Sequence, residues 1–581
     1  MSGIIELSDA IKQFTLDQDK IMTPEETVRN FKKKTAKLNM QILEYTKRID
    51  NGRLDIPVYF SVCGKDARKI TGTNKQMGKG ATPVQSEASA VMELAERFSF
   101  FSFKKNQANF KDGAFPDFEK IAIPFDLIAA SVHEDAKNAE EAKEFFNLLS
   151  FEWTEGYNIT KKAPVLVPFD WFYAINEFNG PSAGNCKEEA IMQGISEIIE
   201  RHVCSIISEK KLSVPLIRPE SVKDEIVCGM LEKYKKAGIE LFISDFSLDT
   251  GIPTVGVLAY DPSTFPEKSE IVWTAGTAPD PVKALSRALT EIAQLAGDFN
   301  TGSNYLASGL PKLTSLDQTD FIRKSGKSVD IEDLPDISDN NIRIEIENAI
   351  SCLDKLGMEI ILIETTHKDL GIPAFYTIIP GARFRERALN TTLAMFCAKL
   401  IIEKFPADMA LPIIMQMDKK LQDRYYLKFY AGMCLYTLEE YEEALAFFKK
   451  AMELGPNSQD EASIYSYMAQ CLKEQEKYHE ALEILEKGME SDDERTDILN
   501  LMGFCQFKLK RHEKAIESFE KLIKLDPSSA IDYANIGSNY RELGDRDNAI
   551  RYYKKALEID PKITFALENI LKLGGDLSDN E

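Results

Sequence analysis

From about Leu421 the chain repeats itself, and this period restricts its fold more than any other feature of the sequence. The segments Tyr441-Glu-Glu-Ala444-Leu, Tyr478-His-Glu-Ala481-Leu, His512-Glu-Lys-Ala515-Ile and Arg546-Asp-Asn-Ala549-Ile align, with Ala-to-Ala spacings of 37, 34 and 34 residues. Gly503 and Gly537 keep the interval of 34, as do Pro527 and Pro561. A unit of this length cannot bury its apolar face alone, so it must stack on the next. Cys434, Cys471 and Cys505 recur near one position of the repeat and read as small core residues, not ligands. A last helix, Ile563–Leu573, caps the stack, and a short acidic tail follows.

Upstream the grammar differs. Strand candidates are β-branched or aromatic runs at Ile56–Val62, Ala163–Val167, Glu240–Ser244, Pro253–Tyr260, Ile271–Ala275, Glu359–Glu364 and Ala374–Ile379. Helix candidates are longer and amphipathic: Pro83–Phe103, Lys187–Glu209, Lys223–Lys236, Pro281–Phe299, Ile342–Leu356 and Phe384–Lys404. The strands come partly in runs, which favours α+β layers over a doubly wound sheet. Gly326–Asn341, acidic and with a proline, reads as a surface loop. Pro406 and Pro412 mark the boundary with the repeats. The expected organisation is an α+β domain over 1–410 (core about 57–405), an all-α repeat domain over 415–575 with four units and a capping helix, and an acidic tail over 576–581.

Acid outnumbers base, 93 Asp and Glu against 71 Lys and Arg, for a formal charge of −22. That balance argues against direct nucleic-acid binding and against adsorption to anionic lipid. Nine scattered cysteines without a Cys-x-x-Cys pair fit a reducing compartment. The N-terminus shows no signal-peptide pattern and the chain no run of 18 apolar residues, so a cytoplasmic protein is expected. The five histidines show no zinc spacing.

Three predicted helices carry related polar stripes: Glu93-Leu-Ala-Glu96-Arg97, Glu197-Ile-Ile-Glu200-Arg201, and the variant Arg287…Glu291-Ile-Ala-Gln294. Positions i, i+3 and i+4 share a helix face. Ser89, Gln193 and Arg287 each precede the corresponding glutamate by four residues. The surrounding residues are apolar, so the helices are expected to be buried on most sides, and a buried carboxylate pair needs a partner. Two carboxylates 4 Å apart repel by on the order of 4 kcal/mol at an effective dielectric near 20. Mg²⁺ with phosphate oxygens is the natural counterpart. Loop signals at Gly78-Lys79-Gly80 and Gly184-Asn185 precede two of the helices. The stretch Gly72 to Gly80 only mimics a P-loop: it has five residues between the glycines and Gly80 where Ser or Thr belongs.

These segments resemble the YcaO family of ATP-dependent peptide-backbone modifying enzymes, and the repeats resemble the tetratricopeptide repeat. Ser89, Glu93, Glu96 and Arg97 are similar to the family's first motif. Asn185, Glu189, Ala190, Glu197, Glu200 and Arg201 are similar to its second, and Arg287, Glu291 and Gln294 to its third. Lys20 and Thr27 lie in a stretch similar to one that reaches the nucleotide in some members. The resemblance covers roughly residues 15–405 and implies ATP and Mg²⁺ as cofactors. It implies nucleotide contacts from Lys20, Thr27, Ser89, Glu93, Glu96, Asn185, Glu189, Glu197, Glu200, Arg201, Arg287, Glu291 and Gln294. Glu93, Glu96, Glu189, Glu197, Glu200 and Glu291 are the implied metal ligands.

It further implies activation of a peptide or protein amide by phosphoryl transfer. The first expectation is modification of a protein, or assistance in it, with β-methylthiolation of ribosomal protein S12 the best named case. Cyclodehydratase or thioamide-forming activity in peptide natural-product maturation is the second. Azoline-forming members often carry a proline-rich tail; here only Pro406 and Pro412 stand at the end of the domain and the last residues are Ser-Asp-Asn-Glu, so azoline formation is the less expected outcome. A non-catalytic ATP-binding scaffold is the third. The repeats are expected to hold a peptide or protein partner, such as a ribosomal protein or modifying enzyme, with homodimerisation the other use of such a surface.

Overall fold

The computed structural model describes residues 4–16, 18–133, 136–302, 305–307, 309–385, 392–491 and 495–575. The acidic tail expected over 576–581 lies outside them. The chain divides into two compact units, Met1–Leu393 and Ala394–Glu581.

The first unit carries strands β1 (Leu43–Arg48), β2 (Val58–Cys63), β3 (Lys75–Lys79), β4 (Lys111–Ala114), β5 (Ser150–Asn158), β6 (Ala163–Pro168) and β7 (Pro181–Ala183). These are followed by β8 (Leu216–Ile217), β9 (Glu240–Asp245), β10 (Thr254–Tyr260), β11 (Val272–Thr277), β12 (Ser328–Val329), β13 (Ile361–Glu364) and β14 (Ala374–Ile378). Among the described residues they form three sheets, in the orders β1-β2-β3, β11-β10-β9-β8-β12 and β4-β5-β13-β14-β7, with β6 on β5. The long pairings are antiparallel and β8–β12 is parallel, so the architecture is α+β, as expected.

Three helices deliver the polar stripes: Pro83–Lys105, Lys187–Lys210 and Pro281–Ala296. Their starts follow from local chemistry. Thr82 and Asp280 accept hydrogen bonds from first-turn amides, each followed by a proline whose missing N–H is not needed there. The Cys186 thiol accepts from the Glu189 amide at the head of the middle helix. Glycines let two of these helices lie directly on strands. A Cβ at Gly78 of β3 would sit 2.1 Å from the Ala90 amide nitrogen, and one at Gly276 of β11 would sit 2.4 Å from the Ala284 carbonyl oxygen. Gly194 in the middle helix makes the same room for Thr377, 2.3 Å from its would-be Cβ. One apolar core joins β9, β10 and β11 to the Pro281–Ala296 helix; another joins the Pro83–Lys105 helix to β2 and the helix Pro24–Thr35.

Two expected helices are shorter by three residues or more. The third stripe helix stops at Ala296, not Phe299, because Gly297, Asp298 and Phe299 each adopt left-handed backbone (φ 51°, 56° and 57°). The helix expected from Phe384 starts at Leu393. Gly381 turns the chain with φ 88°, and Phe384 is buried outside any helix. Residues 386–391 of that expected helix lie outside the described residues.

The second unit is helical. A helix at Ala407–Lys420 precedes the paired helices Tyr425–Thr437 with Tyr441–Glu453 and Ser458–Glu474 with Tyr478–Ser491. Thr496–Lys508 with His512–Leu525 and Ala530–Glu542 with Arg546–Ile559 follow, and Thr564–Lys572 ends the series. Pro406 caps the first of these helices, but Pro412 lies inside it instead of marking a boundary. The repeat alanines Ala444, Ala481, Ala515 and Ala549 are fully buried, and so are Cys471 and Cys505. Each helix pair is closed by a small residue facing a large one. A Cβ at Gly432, Gly503 or Gly537 would lie 2.5, 2.6 or 2.9 Å from the ring of Phe448, Phe519 or Tyr553. The second repeat has Ala469 in place of the glycine and Leu485 in place of the ring, both buried in one cluster.

Candidate functional site

The three stripes meet. One cleft of about 260 Å³ is lined by all thirteen residues singled out from the sequence: Lys20, Thr27, Ser89, Glu93, Glu96, Asn185, Glu189, Glu197, Glu200, Arg201, Arg287, Glu291 and Gln294. Lys79, Arg97 and Gln193 line it too. The first two come from an N-terminal segment fastened over the unit. Ala10 pairs with Ile342 and Lys12 with Asn340 through the backbone. The Lys12 ammonium is buried between Asp19 and Glu345 at 2.6 and 2.5 Å. The Thr27 hydroxyl donates to the Thr23 carbonyl within its own helix.

Each cleft arginine sits beside the glutamates of its own helix. Arg97 stands 3.6 Å from Glu93 and 3.4 Å from Glu96, and Arg201 stands 3.9 Å from both Glu197 and Glu200. Burial drives the Glu96 carboxyl well above the usual carboxylate range; Arg97 opposes the shift, while Glu93 and Glu197 add to it. Burial also raises Glu197, against the pull of Arg201 and Arg97. Lys79 reaches from the end of β3 to a close ion pair with Glu291 on the third helix. Burial, then Arg287, lowers its ammonium to about 8.

Among the described residues no three His, Cys, Asp or Glu side chains form a ready metal cage. Most of the carboxylates instead have a cationic side chain beside them. Glu189 differs. Its Oε1 accepts from the Ile21 amide at 2.7 Å, and its Oε2 accepts from the Asn185 amide and side chain at 2.9 and 3.1 Å. It ties the N-terminal segment to the loop ahead of the middle helix. Arg287 donates through Nη1 to Gln193 at 2.8 Å, while its buried Nε has no hydrogen-bond partner among the described residues.

This donor set suits a metal–nucleotide. Carboxylate and amide oxygens match a hard divalent ion that keeps phosphate oxygens and waters among its ligands. A buried guanidinium N–H without a partner matches a phosphate oxygen. Two contacts had no sequence signal. Ile21 meets Glu189 through its backbone, and a Cβ at Gly309 would lie 2.4 Å from Arg201 Nη1.

Comparison with known proteins agrees. An uncharacterized protein of Methanothermobacter thermautotrophicus is 26% identical over 381 residues, covering 62% of this chain and 93% of its own. The ribosomal protein S12 methylthiotransferase accessory factor YcaO of Escherichia coli is 27% identical over 391 residues, covering 61% of this chain and 64% of its own. A solved structure described as a heterocyclase in complex with substrate and cofactor shares the fold. Its TM-score is 0.54 at 21% identity, over 66% of this chain and 55% of that one. Tetratricopeptide-repeat models match residues 425–458 and 494–562. The model described as YcaO cyclodehydratase, ATP- and Mg²⁺-binding, matches residues 77–383, more than half of the chain, and the chain therefore belongs to the YcaO family, with tetratricopeptide repeats after its YcaO domain.

Proposed function

We propose that the protein binds ATP with Mg²⁺ in this cleft and activates a peptide or protein amide by phosphoryl transfer, modifying a protein or assisting its modification. The observation that carries this reading is the meeting of three glutamate-bearing helices in one cleft that Arg201 and Arg287 also line. ATP would supply the phosphoryl group that makes an amide oxygen a leaving group. Glu93, Glu96, Glu197, Glu200 and Glu291 offer oxygens to the metal. Arg201 and Arg287 neutralise phosphate, and in a buried setting such fixed donors act on developing charge without reorganising. Gln193 steadies Arg287. Ser89, Asn185 and Gln294 add neutral polar contacts, and Lys20 and Thr27 close the cleft from the N-terminal side. Glu189 also holds that segment: its Oε1 accepts from Ile21 and its Oε2 from Asn185, and Oε1 keeps a lone pair for the metal.

Residues 1–410 would handle the nucleotide, and the repeats over 415–575 would recruit a peptide or protein. The named role of the Escherichia coli relative favours an accessory part in methylthiolation of S12. The family's description as cyclodehydratase favours a second reading, ring formation in a peptide. Titration calorimetry with ATP and Mg²⁺ tests the common core: Glu200→Gln should abolish nucleotide binding, and normal binding by that variant would remove the assignment. Mass spectrometry of S12 from a strain lacking the gene separates the readings, since unchanged methylthiolation eliminates the first.

A further inference from the structure

The segment Gly78-Lys79-Gly80 does something other than cradle phosphate. Lys79 is the last residue of β3 and pairs with Val58 of β2. Both flanking glycines lie against the helix Pro83–Lys105. A Cβ at Gly78 would meet the Ala90 amide at 2.1 Å, and one at Gly80 would meet Gln85 Cγ at 2.6 Å and the Ser86 amide at 3.0 Å. Successive residues of an extended chain point to opposite sides. The glycines therefore press the strand onto the helix, and the side chain between them is aimed the other way, into the cleft.

There it meets Glu291. The arginine pairs of the cleft are loose, at 3.4–3.9 Å, and each joins residues of one helix. The Lys79 pair instead crosses from a strand to the third stripe helix. A lysine ammonium is a compact point charge on a flexible stem, the side chain most like a small cation and the easiest to move aside. It faces an oxygen that the reading above gives to the metal, in a cleft that holds no ready cage among the described residues.

We infer that Lys79 is a built-in counter-cation for Glu291, holding this carboxylate until a nucleotide brings the divalent ion and then turning to the phosphates. Uptake of metal is thereby conditional on nucleotide. This rests on the assignment of the cleft to ATP and Mg²⁺.

Mn²⁺ is the probe, its free concentration read by electron paramagnetic resonance on the full chain with and without a non-hydrolysable ATP analogue. The unaltered protein should bind Mn²⁺ weakly alone and tightly with the analogue. Lys79→Met should bind Mn²⁺ alone about tenfold or more tightly, because a positive charge within a few ångströms of the ion has gone. Lys79→Gln should do the same, Lys79→Arg should not, and adding Glu291→Gln to Lys79→Met should erase the gain. A Lys79→Met chain that folds only when Mn²⁺ is present supports the same conclusion. Affinity for Mn²⁺ alone that is unchanged or weaker in both Lys79→Met and Lys79→Gln overturns the inference, as does a gain that survives Glu291→Gln. Failure of the unaltered protein to take up Mn²⁺ even with the analogue is a different result: it removes the nucleotide reading itself, and the inference with it.

Discussion

Gly309→Ala tests the site from a residue that no motif contains. The new Cβ would lie 2.4 Å from Arg201 Nη1 and 3.2 Å from its Cδ. Ordinary contact begins near 3.5 Å, so the guanidinium must retreat by about 1 Å. Charge-assisted hydrogen bonds need about 2.7–2.9 Å, so the contact to phosphate proposed for Arg201 would be lost. Hydrogen bonds to charged groups contribute roughly 1.5–3 kcal/mol, and the Kd for ATP should rise about ten- to a hundredfold. Gly309 also has φ 69°, which makes alanine there unfavourable by about 1–2 kcal/mol of folding stability. Gly302 supplies the control: its φ is 63°, and among the described residues nothing lies within 4 Å of its would-be Cβ. Gly302→Ala should lose similar stability by thermal melting and keep its ATP affinity by calorimetry at saturating Mg²⁺. Equal ATP affinity in the two variants would refute the reasoning, since only one of them crowds Arg201.

Three further outcomes are expected. Burial lowers His202 from 6.5 to about 4, and its Nδ1 accepts from the Arg383 amide. A depressed histidine gives stability that is present above 6.5 and lost as pH falls toward 4, up to about 3 kcal/mol. His202→Gln should flatten that acid limb in calorimetric melts, leaving the share of neighbouring His133, which is lowered in the same way; an unchanged limb contradicts the assignment. Chelation with EDTA should abolish ATP binding measured by calorimetry, since the carboxylates then repel the phosphates; undiminished binding would exclude a metal bridge. In the repeats, Gly503→Ala should speed hydrogen exchange across Thr496–Lys508 through an overpacking penalty of about 1–3 kcal/mol against Phe519. Adding Phe519→Leu should recover at least half of that, and no recovery would mean that the ring is not the obstacle.

Local signals in this chain were legible and distant ones were not. Thr82-Pro83 and Asp280-Pro281 announce helix starts because capping is settled within four residues. The glutamate stripes show for the same reason. Their meeting is tertiary: matched offsets on buried helices allow it, and the family resemblance adds which residues share the site. β3 has no sequence signal because Lys75–Lys79 has almost no apolar alternation: a glycine stands where a strand would show its packing residue, and the helix backbone itself fills the space. β5 alternates Phe151 and Trp153 with polar residues, a pattern that a search for unbroken apolar runs passes over. The left-handed turn at Gly297–Phe299 carries non-glycine residues in positions that propensity disfavours, so apolar periodicity runs past the end of the helix at Ala296. Gly309 and Ile21 act through the space that backbone occupies, which no side-chain pattern reports.

The facing residues in the helix pairs also bear on how such an array can drift. Ala469 opposite Leu485 stands where the other pairs set Gly432, Gly503 and Gly537 against Phe448, Phe519 and Tyr553. The two arrangements fill similar space, but no single substitution connects them. Adding the methyl first drives a carbon into a ring. Shrinking the ring first leaves a small void, a defect that a surrounding core partly relaxes around. Passage from one arrangement to the other is therefore easier with the aromatic residue changing first, and a segment spliced between units keeps its stability only if both partners travel together.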